Sequence, residues 1–247
     1  MKKILSISLY GDVKYLNGLL KNYNLFLEFF HDYVFYFYVD KKFQGILEKK
    51  ISQKNVVITY KSTVSIADGM FWRFEPILNN IGDICLVRDA DYIPSKYETD
   101  LINEFIESNN TFHILRAHTL HTMPILGGLF GVKKNNYKNF KIGFSKWFLK
   151  NNFNNIIYND DQIFLSKYVY NLVIKNTLIH TSNVVFIGEH FKIIHPPKNF
   201  IIGSDDLSLL DTSNTNKLLY FLPVKILNFF NFKYIAKRIY SKNIFKA

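Results

Sequence analysis

Four short apolar runs dominate the first 90 residues: Lys3–Leu9 (KILSISL), Tyr33–Asp40 (YVFYFYVD), Asn55–Tyr60 (NVVITY) and Asp83–Val87 (DICLV). Between them lie longer stretches of helical character, about Lys14 to Phe30, Lys42 to Lys50 and Met70 to Asn80. Strands that alternate with helices must be joined by crossovers, which predicts an α/β fold with a central, mostly parallel sheet flanked by helices. A length of 247 residues and 48% hydrophobic content suffice for one such core.

The pattern continues with a helix at Tyr97–Ser108, a strand at Phe112–Ala117 and the glycine-bearing stretch HTMPILGGLFGVKK. A polar, Asn-rich segment follows, then a helix from near Asp160 to about Tyr170 and short strands near Ile179 and Val184. The composition changes after Asp211. From Thr212 the chain has many Lys and Arg and no Asp or Glu, and it reads as one or two basic amphipathic helices interrupted at Pro223. The expected organisation is one folded α/β domain over 1–211 and a basic helical tail over 212–247.

A net charge of +11 suggests an anionic partner. The lone cysteine, Cys85, lies inside an apolar run, so a buried thiol in a reducing compartment is expected. The N-terminal run alternates with serine and reads as a strand instead of a signal peptide. No stretch has the roughly 20 uninterrupted apolar residues of a membrane-spanning helix. A cytoplasmic protein, peripheral at the inner face of the membrane, is the expectation.

The sharpest chemical signal is Asp89 and Asp91 at the end of the fourth strand. Side chains two apart on an extended strand project the same way. The carboxyl end of a central strand in an open α/β sheet borders the ligand crevice. Two adjacent carboxylates repel unless a cation or proton lies between them, and hard oxygen ligands suit Mg²⁺ or Mn²⁺. Turn-capping aspartates are the alternative.

The blocks GMFWRFEPI (Gly69–Ile77), LVRDADYIPS (Leu86–Ser95) and FHILRAHTLHTMPILGGLFGVK (Phe112–Lys133), with a weaker DDQIFL (Asp160–Leu165), resemble bacterial sugar transferases of the GT-A fold, a family often met in capsule and surface-polysaccharide gene clusters. The resemblance covers most of residues 1–205 and not the tail. It departs at Tyr92, where the family usually has serine, a change expected to alter the floor of the sugar pocket.

The resemblance implies a metal-dependent glycosyltransferase that moves a sugar from a nucleotide-diphosphate sugar to a glycan or lipid-linked glycan. It implies Mn²⁺ or Mg²⁺ on Asp89 and Asp91, with a further ligand from His180 in preference to His195. Arg73, Arg88, Asp89, Gly127 and Gly128 are the expected donor-binding residues. Asp161 is the expected catalytic carboxylate and Gln162 a sugar contact, although Asp is also the usual helix cap at such a position. His118 and His121 are either sugar partners or polar loop residues.

The basic tail is expected to lie on an anionic membrane surface. A nucleic-acid-binding module and a nucleotidyl- or phosphotransferase using the same aspartates are the rival readings. Much of the excess charge sits in the tail, so no nucleic acid is expected as a partner.

Overall fold

In the computed structural model, the described residues are 1–51, 54–62, 68–118, 120–151, 156–197 and 219–221. The strands are β1 (Lys3–Leu9), β2 (Tyr33–Asp40), β3 (Val56–Lys61), β4 (Ile84–Asp89), β5 (Phe112–Arg116), β6 (Phe130–Lys133), β7 (Thr177–Thr181), β8 (Val184–Phe186), β9 (Lys192–Ile193) and β10 (Leu219–Phe221). The helices are α1 (Val13–Phe29), α2 (Gln44–Lys50), α3 (Gly69–Trp72), α4 (Glu75–Leu78), α5 (Lys96–Glu107), α6 (Tyr137–Asn151), α7 (Asp160–Phe164) and α8 (Tyr170–Val173), the last two joined through a π-helical turn at Leu165–Val169.

Eight strands form one sheet in the order β3-β2-β1-β4-β6-β5-β7-β9. Every pairing is parallel except those of β6, which runs antiparallel to both β4 and β5. This is the mostly parallel, helix-flanked sheet expected from the sequence. The strand order reverses direction between β1 and β4, and the register there places Ser8 beside Asp89. A reversal of this kind leaves a crevice at the carboxyl ends of the two strands.

Strands buried on both faces read as continuous apolar runs, which explains YVFYFYVD and ICLV. Each face of the sheet carries its own apolar layer. On one, Phe26, Phe35, Phe37, Leu86 and Tyr92 pack beneath α1 and α5. On the other, α3, α4, α6 and α7 converge on an aromatic knot in which Phe164 contacts the rings of Phe74, Phe140, Phe144 and Trp147, and Phe71 stacks on Trp147 at 4.5 Å. Phe164 lies one turn beyond Asp161, so the knot fixes the start of α7.

Four expectations change. The helix expected over Met70–Asn80 is two short helices, broken at Arg73–Phe74 because Pro76 sits in the first turn of the second; in a continuous helix its ring would strike the preceding turn. The segment read as polar and Asn-rich contains the 15-residue α6, whose buried stripe is Tyr137, Phe140, Gly143 and Trp147. The stretch at Phe130–Lys133 is an antiparallel strand in the middle of the sheet. Within the tail, Leu219–Phe221 is a strand paired with β8 in place of the helix expected there; the rest of the tail expectation lies outside the described residues.

Arg88 also departs from its expected role. Strand alternation turns it away from Asp89 into the opposite layer, where it is fully buried. Its guanidinium donates to Glu98 Oε1 (3.0 Å from Nε), to the Val87 carbonyl (2.6 Å) and to the Phe130 carbonyl (3.1 Å). Glu98 sits three residues after Ser95, the N-cap of α5 that accepts its backbone N–H, and its side chain goes to Arg88 instead of back to the cap. Burial pushes the Glu98 carboxyl above its ordinary range, and Arg88 opposes that shift. Arg88 thus ties β4 to α5 and β6 and does not reach a donor.

Removing one member of a buried ion pair strands the other. We expect Arg88→Met to lower the unfolding free energy by about 3–5 kcal/mol, measured by urea titration, and Arg88→Met/Glu98→Leu to recover much of that loss.

Candidate active site

The crevice at the β1–β4 reversal is a cleft of about 280 Å³. Its floor is Ser8, Tyr10, Asp89, Ala90 and Asp91, from the ends of β1 and β4. One wall is Gly127, Gly128 and Leu129 with His121, and the other is Arg73 with Tyr158, Asn159, Asp161 and Gln162. Five segments far apart in sequence therefore meet where the topology leaves room.

At the centre, the Arg73 guanidinium bridges two carboxylates. Nη1 donates to Asp89 Oδ1, and Nη2 donates to Asp161 Oδ2 at 2.5 Å. The Arg73 and Asp161 side chains are buried, whereas the Asp89 side chain is 50% exposed to the cleft. Burial works against the charge on Arg73, but Asp89 and Asp161 outweigh it and raise its pKa. Burial raises the pKa of Asp161, with Arg73 opposing and Asp89 adding to the rise.

Local structure sets this triad in place. The break between α3 and α4 puts Arg73 at a corner, and its carbonyl accepts a hydrogen bond from Ser6 Oγ of β1 at 2.7 Å. Asp161 belongs to the first turn of α7, whose entry residue Asn159 adopts a left-handed conformation (φ 72°). Asp160 accepts the Ile157 N–H at 2.9 Å, so the adjacent aspartates divide into a turn-forming residue and a cleft residue.

The paired glycines leave room for the triad as it stands. A Cβ on Gly127 would overlap Asp161 Oδ2 and Arg73 Nη2, and one on Gly128 would overlap the Asp89 carboxylate. On the opposite side, Gly18 of α1 admits the backbone of Asp91, and Asn22 donates to the carbonyls of Asp91 (3.4 Å) and Tyr92 (3.2 Å). Helix α1 thereby holds the turn that carries Asp91 into the cleft.

Two side chains not chosen from the sequence also face the cleft. Tyr10 lies over Gly69, where a Cβ would overlap its ring, and meets Trp72 edge-on at 6.2 Å. Burial raises the Tyr10 phenol pKa, with Arg73 opposing and Asp161 and Asp89 adding, so it remains a hydrogen-bond donor. His121 was one of two histidines left open between sugar partner and loop residue. Its Nδ1 accepts the Ala117 N–H at 3.0 Å, which places the proton of the neutral ring on Nε2. Burial, with His118 and Arg116, pushes its pKa down to about 3.

Three further expectations are corrected. His180 does not join the aspartates: it is fully buried on β7, where Nδ1 meets His113 Nε2 at 2.9 Å and Nε2 faces Glu104 at 3.4 Å. His195 does not line the cleft either. Tyr92 is buried below α1 against Phe26 and Arg88, so its replacement of serine leaves the cleft floor unchanged. Gln162 does face the cleft, where its amide donates to Asn159 at 3.2 Å.

Asp89 and Asp91 are the carboxylates that could hold a divalent cation. Among the described residues no group of three or more His, Cys, Asp or Glu side chains forms a metal cluster. Two carboxylates fit a Mg²⁺- or Mn²⁺-type ion whose remaining ligands are water and substrate phosphate oxygens. Ser8 Oγ and Arg73 Nε, which belong to residues lining this cleft, are buried and have no hydrogen-bond partner among the described residues. Buried polar atoms without partners are uncommon, and at a cleft they fit a ligand that would complete them.

No family model matches the chain, and no curated protein matches it. Similar solved structures include a glycosyltransferase involved in the glycosylation of the major capsid of PBCV-1, with a TM-score of 0.47 and 17% identity over 74% of this chain and 82% of that one. Another is 4-diphosphocytidyl-2C-methyl-D-erythritol synthase from Anaerococcus prevotii DSM 20548, with a TM-score of 0.44 and 14% identity over 86% of this chain and 97% of that one.

Arg73→Ala leaves Asp161 buried without its partner, and we expect a loss of about 3–5 kcal/mol in a denaturant titration, partly restored in Arg73→Ala/Asp161→Asn. For His121, the folded pKa is below the unfolded value, so its stabilising contribution is present above about pH 6.5 and is lost as pH falls toward 3. Relative to His121→Gln, the wild-type chain should lose up to about 1.4 kcal/mol per pH unit below pH 6.5.

Proposed function

We propose that the chain is a metal-dependent glycosyltransferase that moves a sugar from a nucleotide-diphosphate sugar to a glycan or lipid-linked glycan acceptor. The observation that carries this reading is the meeting of Asp89, Asp91, Asp161 and Arg73 in one cleft at the strand-order reversal. That place in an open α/β sheet suits a nucleotide. The carboxylates suit a cation and a reacting carbon, and the guanidinium suits a phosphate.

A bound Mg²⁺ or Mn²⁺ on Asp89 and Asp91 would supply Lewis-acid neutralisation of the departing diphosphate. The chain's own residues supply the rest. Arg73 adds fixed positive charge beside the place where the leaving oxygen becomes negative. Ser8 Oγ and His121 Nε2–H are neutral hydrogen-bonding groups for hydroxyls of the donor. Tyr10 and Tyr158 offer ring faces at the floor and mouth of the cleft.

Asp161 takes the proton of the attacking acceptor hydroxyl. Its burial makes it a stronger base than an exposed aspartate, which suits general-base work near neutral pH. The new bond joins the acceptor oxygen to the anomeric carbon as the bond from that carbon to the diphosphate oxygen breaks, so the donor's electron pair leaves with the nucleotide diphosphate. Direct displacement of this kind inverts the anomeric configuration.

A panel of UDP-, GDP-, CMP- and TDP-sugars with and without Mn²⁺ tests the proposal by thermal shift and donor hydrolysis. At about 100 times Kd, the matching donor should stabilise the fold by about 2.7 kcal/mol, a rise in Tm of roughly 5–10 °C. The metal-dependent part should vanish in Asp91→Ala. Asp161→Asn should keep the shift and lower turnover about 10²–10⁴-fold. Absence of any shift across the panel overturns the reading, and release of a sugar 1-phosphate with a nucleoside monophosphate, instead of a nucleotide diphosphate, would assign a nucleotidyl transfer.

A further inference from the structure

The outer face of α6 has no role in the cleft, and its composition is unusual. Between Glu107 and Asp160 the sequence holds no acidic residue, while Lys134, Lys138, Lys141, Lys146 and Lys150 lie on or just before α6. The buried stripe Tyr137, Phe140, Gly143 and Trp147 occupies one side of the helix. At 100° per residue, Ile142 and Leu149 fall on the side opposite that stripe, with Lys138 beside them and Lys141 and Lys146 to either flank.

Ile142 and Leu149 are 37% and 79% exposed, and Phe148 is 42% exposed. They belong to a wider concentration. Of eleven exposed large apolar side chains among the described residues, five fall between 142 and 158, the others being Ile157 and Tyr158. Ile142, Leu149 and the lysines at 134, 138, 141 and 146 border one shallow surface depression. The chain then returns to the mouth of the cleft at Tyr158.

We propose that this face of α6 is a docking surface for an anionic lipid leaflet, with Ile142 and Leu149 entering the headgroup boundary and the surrounding lysines meeting lipid phosphates. A soluble helix normally presents polar residues opposite its core stripe. Apolar side chains ringed by lysines, with no acidic residue lining the depression they share, match instead the pattern of a helix lying in a membrane interface. Charge complementarity selects an anionic surface over a zwitterionic one. The surface is distinct from the tail and does not depend on the identity of the donor.

Sedimentation of the full-length chain with phosphatidylglycerol-containing vesicles, against phosphatidylcholine vesicles, tests this. The wild-type chain should pellet with the former only. Lys138→Gln/Lys141→Gln/Lys146→Gln should weaken binding roughly hundredfold. Ile142→Ser/Leu149→Ser should weaken it at least about tenfold. Both variants should keep the wild-type Tm and the same donor response in solution, which separates this proposal from that of the cleft.

A third full-length variant, Lys233→Gln/Lys237→Gln/Arg238→Gln/Lys242→Gln, controls for the tail. Vesicle binding that survives both α6 variants and falls only in the tail variant overturns the proposal. So does equal binding to the two lipid compositions, or retention of a single-stranded RNA at the same salt with no pelleting on vesicles.

Discussion

The candidate site depends on one buried cation with two anionic partners. Arg73 has lost its water, and a guanidinium in that position persists only if carboxylates replace the solvent. Asp161 supplies one from a rigid helix start and Asp89 the other from a strand end. The arrangement is demanding of its surroundings. Gly127 and Gly128 must lack side chains because the ion triad fills the space they would occupy, and the aromatic knot around Phe164 keeps Asp161 within reach.

The triad also divides labour between the carboxylates. Asp161 is enclosed, and burial raises its proton affinity; Asp89 remains half open to the cleft, beside Asp91. Groups of one chemical type placed in different dielectric surroundings acquire different roles. In the proposed transfer, the enclosed one receives a proton while the open pair faces the cation and diphosphate. The proposed α6 surface would add a second level of organisation, since a leaflet under that helix would keep a lipid-linked acceptor near the chain that leads back to Tyr158.

Much of this was legible beforehand because some signals are local. Apolar runs buried on both faces announce the strands, and the Asp89–Asp91 spacing at a strand end announces a polar cleft. Other signals are local but diluted. The stripe Tyr137, Phe140, Gly143 and Trp147 was present in the letters of α6, yet the surrounding Lys and Asn residues disguised a helix as a polar loop. Leu219–Phe221 reads as helix within a basic amphipathic stretch and becomes a strand because β8 offers it a partner.

By itself, the sequence determined strands β1 to β5 and helices α1, α2 and α5, the alternation that leads to a mostly parallel sheet, and the chemistry available at Arg73, Asp89, Asp91 and Asp161. Tertiary structure alone decided which of these groups meet. Arg88 and Arg73 are both arginines in motif blocks, yet one turns into the opposite layer to pair with Glu98 and the other into the cleft. His180 and His121 likewise go to different places, one joined to His113 and one at the cleft wall. The reason is physical: burial, charge pairing and proton affinity are properties of a neighbourhood, and a neighbourhood assembled from residues 8, 73, 89, 127 and 161 exists only once the chain has folded.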